Sequence, residues 1–129
     1  MSSTLKFSLV SPESELFSGE VIYVDVPGTE GDMGIHPMHA PLMAAIRTGI
    51  INVHLSDENV RFFVQGGFAD VTTGELIILA EKACLIDGID REEIKNDIEF
   101  AKESLAHLEG EAALSMQQNL DGLQYVLAN

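Results

Sequence analysis

The sequence predicts a β + α protein, in which antiparallel strands fold into a sandwich or barrel and are followed by an antiparallel two-helix hairpin. From residue 4 to about residue 87, apolar residues recur at a period of two, the period of a β-strand. The strand-like segments are short and close together, which leaves no room for the crossover helices of a parallel sheet. Around Asp87 the period lengthens to that of an amphipathic helix. We therefore divide the chain into residues 1–87, a β domain, and residues 88–129, a helical hairpin.

The strand predictions rest on runs rich in β-branched and aromatic residues. In the first run, Leu5, Phe7 and Leu9 alternate with Lys6 and Ser8. Further runs occupy residues 22–26, 50–55, 60–64, 68–71 and 76–80. The sequences SPESE, SDEN, QGG and TTGE lie between runs and are rich in residues that favour turns. Many short strands at this spacing indicate antiparallel sheets.

Two apolar stripes predict the two helices. The first stripe comprises Ile94, Ile98, Ala101, Leu105 and Leu108. The second stripe comprises Ala113, Met116, Leu120, Leu123 and Leu127. Asp90 is the expected N-cap of the first helix and Gly110 its expected end, with a turn of two or three residues between the helices.

The hairpin is expected to be the less stable half of the protein. Gly122 lies inside the second helix, where Gly costs about 1 kcal/mol relative to Ala. Two helices alone make a thin core, so their apolar seam should lie against the β domain or against a partner. Cys84, the only cysteine, is expected to be a small core residue, and a single cysteine excludes an intrachain disulfide.

The charge balance argues against two classes of partner. The chain has 7 Lys and Arg residues against 21 Asp and Glu residues, a formal net charge of −14. Phosphate backbones and anionic lipid headgroups would repel it, so we expect neither nucleic-acid binding nor direct lipid insertion. The longest apolar runs, LIILA and PLMAAI, are too short to cross a bilayer, and the N-terminus lacks the apolar core of a signal peptide. We expect a soluble protein whose partner presents exposed cations.

The segment VPGTEGDMGIHPMHAPLMAAI, residues 26–46, concentrates the residue types that a site could use. A metal site would need His36 and His39 with nearby carboxylates, but Pro37 and Pro41 exclude the helix that would align the two imidazoles. The glycines recur every three residues, unlike a phosphate-binding loop, and the segment has no Lys or Arg. No nucleophile motif is present, so we expect no catalytic residue, no metal and no cofactor.

The prolines and glycines of this segment favour a stiff loop with few accessible conformations. The positions that we expect to shape the loop are Pro27, Gly28, Gly34, Pro37 and Pro41. Such a loop presents Glu30, Asp32 and Met33 as a preformed contact patch, which lowers the entropic cost of binding. The alternative, a loop that only connects two strands, is equally compatible with these residues.

The same segment resembles the signature of the epsilon subunit of bacterial rotary, or F-type, ATP synthases. Residues 27–42 fill the family pattern Pro-Gly-x-x-Gly-x-x-Gly-Ile-x-Pro-x-His-Ala-Pro-Leu. The sequences LVSPESELFSGEV, VQGGFADV and ILAEKA resemble further elements of the family, so the similarity spans roughly residues 5–87. The resemblance implies a flattened antiparallel β sandwich of about ten short strands, followed by the two-helix hairpin.

The resemblance also implies a function. The family member is a non-catalytic subunit of the central stalk in the proton-translocating ATP synthase, and it couples rotation of the membrane ring to ATP synthesis in the catalytic head. The implied partners are the gamma subunit, the polar loops of the c-ring and, through the hairpin, the beta subunit. The implied location is peripheral, on the cytoplasmic face of the bacterial inner membrane.

Two contact sites follow from the resemblance, position by position. The residues that match the ring-contacting loop are Glu30, Gly31, Asp32 and Met33. Their negative charge complements the basic residue that the ring loops carry in the family. Ser11 and His39 match positions at or near the surface that faces gamma, and His39 has the alternative role of a hydrogen-bonded turn residue.

The hairpin departs from family members whose C-terminal helices inhibit ATP hydrolysis through basic residues. Residues 91–129 carry three cations against eight acidic residues, and the second helix has no Lys or Arg. Glu93 and Ile94 stand where the ATP-binding variant of the hairpin, which begins at the position of Asp90, has Arg and Ala. We expect weak or absent inhibition, and the pattern argues against ATP binding.

Two further functions stay open from the sequence alone. One is a free-standing, metal-dependent β-barrel enzyme that would use His36, His39 and neighbouring carboxylates. The other is an adaptor with the same fold and a different partner.

Overall fold

Eight strands are followed by two helices in the computed structural model, which describes residues 4–129. Residues 1–3 of the expected β domain lie outside the described residues. The strands are β1 (Leu5–Val10), β2 (Glu15–Val21), β3 (Tyr23–Gly28), β4 (Gly31–Ile35), β5 (Leu42–Ile46), β6 (Gly49–His54), β7 (Asn59–Thr72) and β8 (Glu75–Leu85). A short 3-10 turn (Ile86–Gly88) leads to α1 (Arg91–Leu105) and α2 (Gly110–Ala128). The β + α class is confirmed.

The predicted alternation places one side of each strand in a common core. In β1, Leu5, Phe7 and Leu9 are fully buried, whereas Lys6 between them is exposed. The core receives at least one buried side chain from each of the eight strands. This interlocked burial is the main source of stability in the β part, because burying an apolar side chain contributes about 1.5–3 kcal/mol.

The strand count differs from the expected ten because two predicted segments belong to one strand. Residues 60–64 and 68–71 both lie in β7, and the QGG sequence between them is part of the strand rather than a turn. Gly66 and Gly67 have positive φ angles and irregular pairing there. The first half of β7 pairs with β6 and the second half with β5, so this one strand serves both layers of the sandwich.

One strand pair contradicts the expectation of purely antiparallel pairing. β1 and β8 run parallel, from Lys6 opposite Glu75 to Val10 opposite Leu79. The two strands lie at opposite ends of the β part of the sequence, so the six strands between them make the connection and no crossover helix is needed.

The helix boundaries confirm one predicted cap and correct one predicted end. The Asp90 carboxylate accepts hydrogen bonds from the backbone N–H groups of Glu92 and Glu93, as expected of an N-cap. However, α1 ends at Leu105, and Gly110 begins α2 instead of ending α1. The last turn of α1 closes through tighter bonds to the third preceding residue, so the linker comprises four residues, 106–109.

The apolar seam of the hairpin lies against the β part, as expected. Phe63 of β7 forms a second buried cluster with residues of both helices, and Cys84 is partly buried beside it. The helical members are Ile94, Ile98, Ala101, Leu120, Leu123 and Val126. Burial raises the pKa of the Cys84 thiol. Neither helix in the described part of the chain has the length and apolarity that crossing a membrane would require.

Gly122 is explained by this packing. A Cβ atom at this position would lie 2.0 Å from the backbone oxygen of Thr48, so only glycine allows α2 to approach β6 this closely. The helix propensity that Gly122 sacrifices is the condition for docking the hairpin.

Candidate protein-docking site

The signature segment forms a β-hairpin and a following loop rather than one continuous loop. Pro27 and Gly28 end β3, Thr29 and Glu30 form a two-residue turn, and Gly34 lies in β4. Only Pro37 and Pro41 of the expected loop positions lie in irregular chain, in residues 36–41 before β5. The prediction of one stiff loop is therefore corrected, because antiparallel pairing from Val24 opposite Ile35 to Gly28 opposite Gly31 extends to the turn.

We call residues 28–33 the docking tip, since they include the four residues expected to contact the ring. A Cβ atom at Gly28 would lie 2.6 Å from the backbone oxygen of Gly31, so the tight closure of the tip requires glycine there. Glu30, Gly31 and Asp32 are exposed, whereas Met33 is partly buried and packs against the β core. The tip thus presents two carboxylates on a hydrogen-bonded strand pair.

Arg47 holds the docking tip from the neighbouring chain segment. Its guanidinium donates to the backbone oxygen of Gly28 and, at 2.6 Å, to a carboxylate oxygen of Asp32. Its backbone N–H donates to the oxygen of Pro27 at 2.9 Å, and the N–H of Thr29 donates to the oxygen of Ala45 at 3.0 Å. These bonds reduce the freedom of the tip, which lowers the entropic cost of binding.

Arg47 also changes the electrostatics expected from the sequence. The Asp32 side chain is 79% exposed and the Arg47 side chain 28% exposed, so their ion pair is largely screened by water. Glu30 is the exposed acidic residue of the turn itself. The sequence analysis missed the role of Arg47 because residue 47 follows the signature and no local pattern links it to Asp32, which lies across the sheet.

The two signature histidines have different partners. A ring nitrogen of His39 lies 2.7 Å from the backbone oxygen of Ala40, to which it donates, as expected for a turn histidine. The ring of His36 stacks on Tyr23 with a centroid separation of 4.7 Å. Among residues 4–129, no group of three or more His, Cys, Asp or Glu side chains has an arrangement that could hold a metal ion. The geometry gives the metal-enzyme interpretation no support.

His54 completes this stack on the other side of Tyr23. The two ring centroids lie 3.8 Å apart, and the Nε2 atom of His54 is 2.7 Å from a carboxylate oxygen of Asp25. The sequence placed His54 only on the polar side of a strand. Its pairing with Tyr23 follows from the register of β3 with β6, which a sequence pattern does not reveal.

A second surface lies on the solvent side of the sheet, and we call it the outer apolar face. Met43, Phe68 and Leu79 are exposed by 68%, 55% and 56%. The strand register places Phe68 opposite Leu79, and Leu79 opposite Val10. Ile77, two residues before Leu79, points to the same side. Such a contiguous apolar surface is typical of a protein–protein interface.

Ser11 and His39 lie beside the outer apolar face. Ser11 directly follows Val10 and bonds locally, through its N–H and its hydroxyl, to the backbone oxygen of Ser14. His39 lies in the loop that leads into β5, four residues before Met43. A sequence signal for this face existed: LIILA is apolar at every position, as expected for a strand that contacts protein on both sides.

An open cleft of about 740 Å³ lies between α2 and the strands β3 and β6. Asp25, Arg61, Asp121 and Tyr125 are among the residues that line it. Charges of both signs alternate around the cleft, so its chemistry does not select one class of ligand.

Comparison with known proteins gives matches to one family. Residues 4–86 match the family model described as the ATP synthase, Delta/Epsilon chain, beta-sandwich domain. The chain is 41% identical to the ATP synthase epsilon chain of Maricaulis maris over 133 residues, and 44% identical to that of Hyphomonas neptunium over 135 residues. Both alignments cover 100% of this chain and of the relative. These findings confirm the resemblance carried by residues 27–42.

Solved structures show the same fold. A chain in the cryo-EM structure of the Euglena gracilis mitochondrial ATP synthase, OSCP/F1/c-ring, matches 99% of this chain and 82% of its own length, with a TM-score of 0.79 and 21% identity. A chain in the Tetrahymena thermophila mitochondrial ATP synthase central stalk/c-ring structure covers 93% of each chain, with a TM-score of 0.67 and 16% identity. At these identities the similarity supports the fold of both the strands and the helices.

Proposed function

The chain belongs to the ATP synthase delta/epsilon family, and from this premise we propose that it couples rotation of the membrane ring to ATP synthesis from a position in the central stalk. Membership in the family also confirms the expectation of a non-catalytic chain of the synthase. The proposed place of action is peripheral, on the cytoplasmic face of the inner membrane. The proposed coupling needs two contacts, one with the stalk and one with the ring.

The outer apolar face carries the proposal that gamma docks on the sheet. Exposed aromatic and aliphatic side chains at the centre of an interface supply most of its binding energy, and Phe68 and Leu79 are adjacent on this face. Ser11 and His39 lie at its border, as the resemblance implied for residues near gamma. This exposed face is the single observation on which the stalk contact depends.

The stalk contact is tested by co-purification of gamma with the chain carrying Phe68→Glu. A buried carboxylate at the centre of the interface should reduce the affinity for gamma by about tenfold or more. Phe100→Glu is a matched control, because Phe100 is a similarly exposed phenylalanine on α1. Equal recovery of gamma with both variants would contradict the proposal.

The docking tip is the proposed contact for the polar loops of the c-ring. Its turn lies at the end of a hydrogen-bonded hairpin, and Glu30 and Asp32 supply negative charge for the basic loop residue of the family. Glu30→Gln should weaken binding to isolated c-rings a few-fold, with a smaller difference at high salt. Glu58→Gln, which changes an exposed acid in the turn between β6 and β7, should leave ring binding unchanged. A salt-independent effect, or an equal effect of both variants, would sink the assignment.

We propose a weak or absent inhibitory role for the helical hairpin, because α2 has no Lys or Arg with which to meet an acidic surface on the beta subunit. In the assembled synthase, ATP hydrolysis should change by less than about twofold when the chain is shortened near Asp87. A several-fold rise in hydrolysis on truncation would contradict this proposal.

A further inference from the structure

We propose that α2 braces the docking tip and that Gln118 is the positioning residue through which it does so. The amide group of Gln118 donates to the backbone oxygen of Thr29 at 2.8 Å. Thr29 is the first residue of the two-residue turn, 89 positions away in sequence. The inference rests on the proposed function of the tip as the ring contact and adds a way in which the hairpin controls that contact.

The turn is held from both sides at Thr29. Its N–H donates to the oxygen of Ala45, and its oxygen accepts from Gln118 of α2. The first bond belongs to the β part, whereas the second exists only while α2 is docked. Release of α2 therefore leaves the turn carbonyl without its helical donor, and the turn gains freedom.

A second connection reaches the tip through residues 47–48. The hydroxyl of Thr48 donates to the side-chain oxygen of Asn119 at 2.6 Å, and Thr48 is buried against Gly122. Arg47, the next residue in the chain, holds Gly28 and Asp32 of the tip. One face of α2 thus contacts both the turn and the neighbour of the residue that secures it.

The coupling works in both directions, by thermodynamic linkage. If docked α2 orders the tip, then a partner that orders the tip stabilises docked α2. The state of the hairpin is therefore transmitted to the ring contact without any change in the strands of the core.

Amide hydrogen exchange of the full chain, followed by NMR, tests the brace without any partner present. Gln118→Ala should accelerate exchange of the Thr29 and Arg47 amides by about 2- to 12-fold, the range that corresponds to losing one hydrogen bond. Gln118→Glu, which keeps the size of the side chain but removes the donor, should give the same result. Gln124→Ala changes an exposed glutamine of the same helix and should leave both amides unchanged.

Two results would overturn the brace. One is unchanged exchange at Thr29 and Arg47 in both Gln118 variants. The other is an equal acceleration at the Phe7 amide in β1, which would indicate general loss of stability instead of local release of the tip. Because no ring or stalk is present, failure here is distinguishable from failure of the proposed ring contact, which ring binding by Glu30→Gln measures.

Discussion

The β part and the helical hairpin are held together in different ways. The β part has a core to which all eight strands contribute, and backbone hydrogen bonds link each strand to its neighbours. The hairpin contributes one face of each helix to a smaller cluster around Phe63. The polar bonds that fix it, such as those from Gln118 and Thr48, are few. The difference teaches that the position of the hairpin depends on its docking, whereas the position of each strand depends on the whole sheet.

The largest expected effect is in the β core. Phe7→Ala removes a fully buried ring that packs on Phe17 at a centroid distance of 5.5 Å, and it should lower the free energy of unfolding by about 3–5 kcal/mol. Urea unfolding followed by circular dichroism measures the change. Phe100→Ala, at an exposed position of α1, should change stability by no more than about 0.5 kcal/mol. Similar losses from both variants would remove the distinction between the two regions.

The next effect concerns docking of the hairpin. By helix propensity alone, Gly122→Ala would stabilise α2 by about 1 kcal/mol. The clash with Thr48 reverses the sign, and the loss of docking stability should be about 1–3 kcal/mol. Thiol labelling of Cys84, which is partly buried beside the hairpin, should become at least several-fold faster. Labelling that is slower than in the original chain would show that α2 gains more from alanine than it loses at the sheet.

A smaller effect is expected at the docking tip. Arg47→Met keeps the apolar part of the side chain but removes its bonds to Gly28 and Asp32, and it should cost about 1 kcal/mol. Exchange of the Thr29 amide should rise while that of Phe7 in the β core rises only with the global stability. An unchanged Thr29 amide would show that strand pairing alone holds the tip.

The smallest effect is the ion pair between Lys82 of β8 and Glu93 of α1. Both side chains are 50% exposed, so Lys82→Met should cost no more than about 1 kcal/mol near neutral pH. The hydrogen bond with Glu93 raises the pKa of Lys82 above 10.5. The contribution should therefore be fully present below about pH 10 and should be lost as the pH rises through the raised value. A difference between the two proteins that grows above pH 10 would contradict this sign.

The sequence predicted most of the local structure because local patterns determine it. Alternation in β1, the apolar stripes and the cap at Asp90 each depend on neighbours within four residues. It did not predict the parallel pairing of β1 with β8 or the continuity of β7, because both depend on distant strands. Gly110 was assigned to the wrong helix, since glycine is compatible with the end of one helix and the start of the next.

The candidate site was predictable in part for the same reason. The signature located the docking tip, but Arg47 and Gln118, which hold it, belong to other elements and carry no local pattern. The outer apolar face was visible in the sequence LIILA as a run without polar residues. Its members from β1 and β5 follow only from the strand register.

Native-state hydrogen exchange across the whole chain, in increasing but sub-denaturing urea, tests the difference between the two regions most directly. We predict that buried amides of α2, such as those of Leu120 and Leu123, exchange through an opening with a lower free energy than the Phe7 amide in β1. The opening of α2 should also depend less on urea, because it exposes less surface. Equal free energies and equal urea dependence for the helix and strand amides would show that the protein opens as one cooperative unit, which would contradict the account.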